Sequence, residues 1–290
     1  MTIVVPTLDD NVSGYDWLFQ TSANVSRATN VVFDFTGCYF LGPSAVAFLG
    51  GLARVHQGRG WNVHFLWNTL PTKVRNNLVQ NGFLYAFGEP HPPRQGNSIP
   101  YREDPHQSPK AYVAYLEQMW LGKNWIRISD ALRGAIVSRL CEGYLNVFDH
   151  ANSPVGLFCC GQHFPKKHLL KLTLVDFGVG IPTNVRRHFK AKHDLDPQTL
   201  AGQSCMEWAF RRGTSTRPGG RGLGLDVLRS FVQLNDGHLE IFSNDGYAHV
   251  DNSGFAFGTR RLYFAGTLIT ILLRCDENSY CLASEVEPVF

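Results

Sequence analysis

Three stretches decide the reading of this chain: Glu142-Gly-Tyr-Leu-Asn146, Asp176-Phe-Gly-Val-Gly-Ile181 and Gly219-Gly-Arg-Gly-Leu-Gly-Leu225. A Gly266-Thr267 pair follows them inside an apolar run. Each alone is weak, because glycine clusters mark turns in many proteins. Glu142 and Asn146 lie in a segment whose apolar residues Ile136, Leu140, Tyr144, Leu145 and Phe148 suit a helix. Four residues apart, they share one helix face, so a carboxylate and a carboxamide oxygen converge on one spot. Taken alone, that pair also suits a solvated polar face.

Asp176 ends the apolar run Leu172-Thr-Leu-Val-Asp176, and the glycines after it allow positive φ and close backbone approach. An ordinary hairpin turn has the same composition. The third stretch opens a helix carrying Leu225, Val227, Leu228, Phe231 and Val232. A glycine-rich turn feeding a helix N-terminus presents unpaired N–H groups and a positive dipole end, which suits phosphate. It is not a P-loop, since no Lys-Ser/Thr pair follows the glycines. It is not the dinucleotide fingerprint either, because no strand precedes it at the right distance and the next acid in a strand is Glu240.

At 290 residues, 44% hydrophobic and 18% charged, the chain describes a globular protein of one large domain or two ordinary ones. A net charge of +3 argues for neither nucleic acid nor an anionic membrane. No apolar run reaches the roughly 18 residues of a membrane helix, and residues 1–6 carry no signal-peptide pattern. Seven cysteines without a CxxC pair suit reduced thiols, hence a cytoplasmic protein.

The stretch Glu89-Pro-His-Pro-Pro-Arg-Gln-Gly-Asn-Ser-Ile-Pro100, continuing to Ser108-Pro109, reads as a linker. Before it, strand Val31–Phe35, helix Ser44–His56, strand Asn62–Trp67 and a helix from Pro71 to Gly82 alternate, which implies a parallel sheet with helical crossovers. After it come helices at Ala111–Trp120 and Ser129–Ala151. Strands follow at Val155–Cys160, His168–Asp176, His238–Ser243 and Gly266–Leu273. The expected division is 1–88, a linker 89–109, 110–275 and a tail 276–290, with the two larger parts folding as separate units that dock.

The boxes together resemble the nucleotide site of the GHKL superfamily, which includes histidine kinases, anti-sigma-factor kinases, heat-shock chaperones and type II topoisomerases. The resemblance covers about 125–275 and implies an α/β sandwich, a mixed sheet with helices on one face. It implies ATP and Mg2+ as cofactors. Asn146 would ligate magnesium, and Glu142 would orient or deprotonate the attacking nucleophile. Asp176 would accept from the adenine amine, with Gly178, Gly180 and Ile181 beside base and ribose. Gly220, Arg221, Gly222, Leu223 and Gly224 would cradle phosphates, and Thr267 would help hold adenine. The basic stretch with Arg186, Arg187, His188, Lys190 and Lys192 corresponds to the ATP lid, with a lid helix at Ser204–Arg212.

Residues 1–90 resemble a STAS domain through "VVFDFTG", "CYFLGPSAVAFLGGL" and "VRNNLVQNGFLYAFG". The family's Asp-Ser-Ser-Gly signature reads Gly42-Pro43-Ser44-Ala45 here, so proline stands at the phosphoacceptor position and Ser44 reads as a helix N-cap. Together the resemblances imply a nucleotide-gated ATPase switch with a fused regulatory module. A serine/threonine kinase of the anti-sigma-factor type, acting on a partner protein, is the alternative. A regulatory protein partner and a homodimer both fit that class.

Overall fold

The strand that ends at Asp176 lies in the middle of a five-stranded sheet. The computed structural model describes residues 1–193, 196, 199–211 and 226–286. Ahead of that sheet the chain builds a smaller parallel one, β1 (Thr2–Val4), β2 (Asn30–Asp34) and β3 (Asn62–Leu66), in that order. The crossovers are α1 (Val12–Val25) and α2 (Pro43–Gly58), and α3 (Thr72–Gln80) and α4 (Phe83–Ala86) follow. The expected alternation is present. Helix α1 is an addition to the elements expected from the sequence, and its N-cap Asn11 accepts from the Gly14 N–H at 2.9 Å.

The larger sheet has the order β4 (Ser98–Asp104), β6 (Leu157–Phe164), β7 (Leu169–Asp176), β9 (Gly254–Arg274), β8 (His238–Asp251). Every neighbouring pair is antiparallel, which corrects the expectation of a mixed sheet. Short connections between β6 and β7, and between β8 and β9, reverse the chain and produce antiparallel pairing. A two-residue pair, β5 (Arg127–Ile128) with β10 (Ser279–Tyr280), runs parallel beside the start of α6 (Asp130–Asn146). Part of the expected tail is thus docked, with Tyr280 buried. The remaining helices are α5 (Pro109–Tyr115), α7 (Ile181–His193), α8 (Gly202–Phe210) and α9 (Asp226–Leu234). No helix among the described residues is long and apolar enough to cross a membrane.

Helices cover both faces of the larger sheet, not one. On one side Leu170, Leu172 and Leu174 of β7 join a core with Ile136, Leu140 and Tyr144 of α6 and Leu228, Phe231 and Val232 of α9. On the other, Val175, Phe242, Phe264 and Leu268 join Phe19 of α1 and Phe48 and Leu52 of α2. Successive strand residues point to opposite faces, so a strand buried on both sides reads as an unbroken apolar run.

The second face also carries a polar patch. Lys171 Nζ on β7 lies 3.2 Å from Asp10 Oδ2, and both side chains are only 7% exposed. Asp10 Oδ1 in turn accepts the Ser44 N–H at 3.1 Å. Ser44 Oγ lies 2.8 Å from Thr173 Oγ1 and 3.3 Å from Thr270 Oγ1. Tyr15 donates to Glu240 at 3.2 Å. Ser44 is therefore not the N-cap of α2: Gly42 is, without a side-chain bond, and Asp10 supplies the acceptor from outside.

The proline-rich segment is a linker only in part, because residues 98–104 form the edge strand β4. Its register shifts between Ile99 and Arg102, around Pro100. An edge strand with an irregularity tolerates a residue that has no N–H to give. Ile99 and Tyr101 turn to opposite cores, and Glu103 receives a two-pronged contact from Arg54 Nε of α2 at 2.9 and 3.1 Å.

Removing Lys171 would leave Asp10 buried without its counter-ion. Lys171→Met is expected to cost about 3–5 kcal/mol in urea unfolding, and Asp10→Asn with Lys171→Met much less. Equal losses would show that the pair is not what joins these layers.

Candidate functional site

At the end of β7, Asp176 pairs in register with Thr267 of β9 and is 4% exposed. Its Oδ1 accepts the Gly178 N–H at 2.8 Å. Burial pushes its carboxyl up to about 6, against hydrogen bonds from Gly178 and Thr267 that pull it down. Ser243, from the strand beyond, lies under the same spot: its Oγ donates to Gly266 O at 2.9 Å and accepts the Ile181 N–H at 2.8 Å. The Thr267 hydroxyl is 3.0 Å from it.

The loop 177–180 is gripped from two sides. Val179 N–H donates to Ala151 O at 2.7 Å. Asn244 Nδ2 donates to Val179 O at 3.0 Å, while its Oδ1 accepts from Thr183 N and Oγ1 at 3.0 and 2.8 Å. Asn244 reaches this position from a left-handed turn (φ 51°) beside a register shift in β8. A Cβ at Gly178 would lie 2.2 Å from Ala151 O, and one at Gly180 (φ +82°) 2.4 Å from Asn244 Nδ2. Glycine is thus required at both positions, and the close approaches it permits are to Ala151 and Asn244. Ile181 opens α7.

Glu142 and Asn146 sit one turn apart at the C-terminal end of α6, half-buried at the margin of the core. Arg139 Nη1 lies 3.2 Å from Glu142 Oε2. The helix runs on as a π-helical turn, Val147–Ala151, a feature frequent at functional sites. The Ala151 carbonyl that ends this turn holds Val179, so α6 is tied to the Asp176 loop through backbone.

Between that turn and α7 opens a cavity of about 480 Å³, lined by Asp149, His150, Asn152, Asn184, Arg187, His188, Ala191 and Lys192. Asn184 Nδ2 donates to His150 O at 3.2 Å and joins its two walls. Two side chains in the lining are permanent cations, two are imidazoles, and one is an acid. Arg186 is not part of the cavity: it makes a bidentate pair with Asp245 at 2.9 and 2.8 Å and two bonds to Leu200 O. It bolts α7 to the β8 turn.

Gly220, Arg221, Gly222, Leu223 and Gly224 lie outside the described residues, and α9 begins directly after the box at Asp226. The helix expected over 204–212 is α8, Gly202–Phe210, which with α7 buries Val185, Cys205 and Ala209. Ser243, Asn244 and Asp245 hold this region together without having been expected from the sequence. The turn-rich run Ser243-Asn-Asp-Gly246 was their signal. Compared with protein-family models and with curated protein sequences, the chain matches none of them.

The fold holds the Asp176 proton more tightly than the unfolded chain does, from an ordinary 3.8 up to about 6. Stability from this residue therefore grows as pH falls from 7 toward 4, by on the order of 3 kcal/mol, and is lost as pH rises through about 6. Urea unfolding of wild type and Asp176→Asn across that range should show a difference that changes mainly between about pH 6 and pH 4. A pH-independent difference would contradict the buried carboxyl.

Proposed function

We propose that this chain binds Mg-ATP in a site of the GHKL type and uses the nucleotide as a switch, with the STAS-like N-terminal part as its regulatory module. The observation that carries this reading is Asp176, a buried carboxylate held at a strand end against its desolvation. A protein tolerates that cost where another group uses the charge.

The residues present fit the ligand. Asp176, with Thr267 next to it, offers an acceptor to an exocyclic amine, and an ionised carboxylate is the strong acceptor for it. The adjoining cavity, with Arg187, Lys192, His150 and His188, suits polyanionic phosphates. Asn146 supplies a hard oxygen of the kind magnesium takes while keeping water and phosphate oxygens. When bound, magnesium neutralises phosphate charge and orients the phosphates. Glu142, one turn away on the same helix, would orient a nucleophile and take its proton.

The ring of hydrogen bonds around loop 177–180 presets the base-binding wall, so little ordering remains on binding. If phosphoryl transfer occurs, its acceptor belongs to another protein. Pro43 occupies the position where a STAS acceptor would stand, and Ser44 is 1% exposed and bonded to Thr173. That burial favours the switch over self-phosphorylation, with a kinase acting on a partner as the second reading.

Calorimetry with Mg-ATP tests the site. Asp176→Asn should weaken binding roughly tenfold or more, as for loss of a charge-assisted bond. Glu142→Ala should bind normally and slow turnover about a hundred- to ten-thousand-fold. Asn146→Ala should lose the magnesium-dependent part of affinity. Unchanged affinity in a folded Asp176→Asn protein rejects the adenine role. Release of labelled phosphate, against its transfer to protein, separates the two outputs.

A further inference from the structure

Phe177 stands inside the Asp176–Gly180 loop, yet its ring leaves the site. It enters the core shared by α2 and the larger sheet, with ring centroids 5.2 Å from Phe48, 5.4 Å from Phe264 and 6.3 Å from Phe158. Helix α2 meets it with Gly51. A Cβ there would lie 2.2 Å from Phe177 Cε2 and 2.8 Å from Phe158 Cδ2. On either side the loop is held by the other half of the chain. The Phe177 N–H reaches Ser153 Oγ at 3.4 Å, the Gly178 N–H bonds Asp176, and the Val179 N–H bonds Ala151 O. At Gly178 there is no room for even a Cβ, which would lie 2.2 Å from Ala151 O. The loop has no slack in that direction.

We propose that Phe177 is a positioning residue that couples the docking of α2 to the placement of Asp176 and the loop after it. A ring packed among three others in a core of crystal-like density moves as a body when it is pushed. Its backbone lies one residue from the Asp176 carboxylate and one from the Gly178 N–H that bonds it. Any event that lifts or shifts α2 is therefore read at the loop, whereas the polar patch at Asp10, Lys171 and Ser44 keeps α2 seated. In its ligand arm the proposal rests on the nucleotide reading. In its loop arm it does not.

Gly50 supplies the control. A Cβ there would lie 2.0 Å from Tyr101 Oη, an insult of similar size on the same helix, directed at β4 and not at the loop. The experiment follows amide hydrogen exchange in the full chain, with β7 amides at Leu172 and Leu174 as internal reference. It is paired with Mg-ATP calorimetry. Gly51→Ala should speed exchange at Gly178 and Val179 by tenfold or more relative to the reference and weaken nucleotide binding, while Gly50→Ala changes neither ratio. Phe177→Leu in the Gly51→Ala background should restore both. Should Gly51→Ala fail to fold, Phe177→Leu alone, which adds no volume, should loosen the same two amides. Equal effects of Gly50→Ala and Gly51→Ala, or a loop unmoved in Gly51→Ala or in Phe177→Leu, would overturn the coupling. Wild-type protein that ignores nucleotide while the exchange pattern holds would strike only the ligand reading.

Discussion

Strand β7 has no solvent face. Leu170, Leu172 and Leu174 pack under α6 and α9, while Lys171, Thr173 and Val175 are buried on the side that α1 and α2 cover. A strand enclosed on both sides must satisfy every polar atom it buries, since each unpaired group costs about 1–3 kcal/mol. Lys171 meets Asp10 and Thr173 meets Ser44. These partners come from the N-terminal part of the chain, so a sheet strand and a distant helix are specified together. Asp176 lies at the end of the same strand, and its burial follows from this enclosure.

The electrostatics of the site follow from that placement. A carboxylate at a solvated strand end would titrate as usual, whereas here desolvation outweighs the hydrogen bonds from Gly178 and Thr267. Ser243 and Asn244 brace the loop from β8, the strand beyond β9, and Ala151 braces it from the end of α6. Two elements far apart in sequence thereby fix one short loop. That is the arrangement a preorganised binding wall needs. The basic cavity beside it lies between Asn184 and Arg187 of α7 and the π-helical turn, and Arg186 is spent on anchoring α7 to Asp245.

The N-terminal part stands in an unusual relation to that site. It docks through a buried ion pair, a hydroxyl cluster and an aromatic core in which Phe19, Phe48 and Phe264 pack together. Buried polar contacts of this kind add less stability than apolar packing of the same volume but penalise displaced registers, because any slip strands a charge. The Ser44 hydroxyl, one residue after Pro43, is consumed in this docking.

Much of the local structure could be read from residues alone. The alternation of strands and helices through residue 82, the helix carrying Glu142 and Asn146, and the helix after the glycine box are set by periodicity and by turn residues, which act over a few positions. The need for glycine at 178 and 180 was legible as well, though not the neighbours that impose it. Tertiary structure alone decided the rest. That β4 would form within a proline-rich segment depended on an edge position with a register shift at Pro100. That the sheet would carry helices on both faces depended on α1 and α2 folding onto residues more than a hundred positions away. The sequence records that Lys171 and Thr173 sit among leucines, but it does not record that Asp10 and Ser44 complete them. Hydrogen bonds and ion pairs between distant segments leave no spacing in the chain. They exist only when burial brings their partners within about 3 Å, where an unpaired group would be too costly to leave.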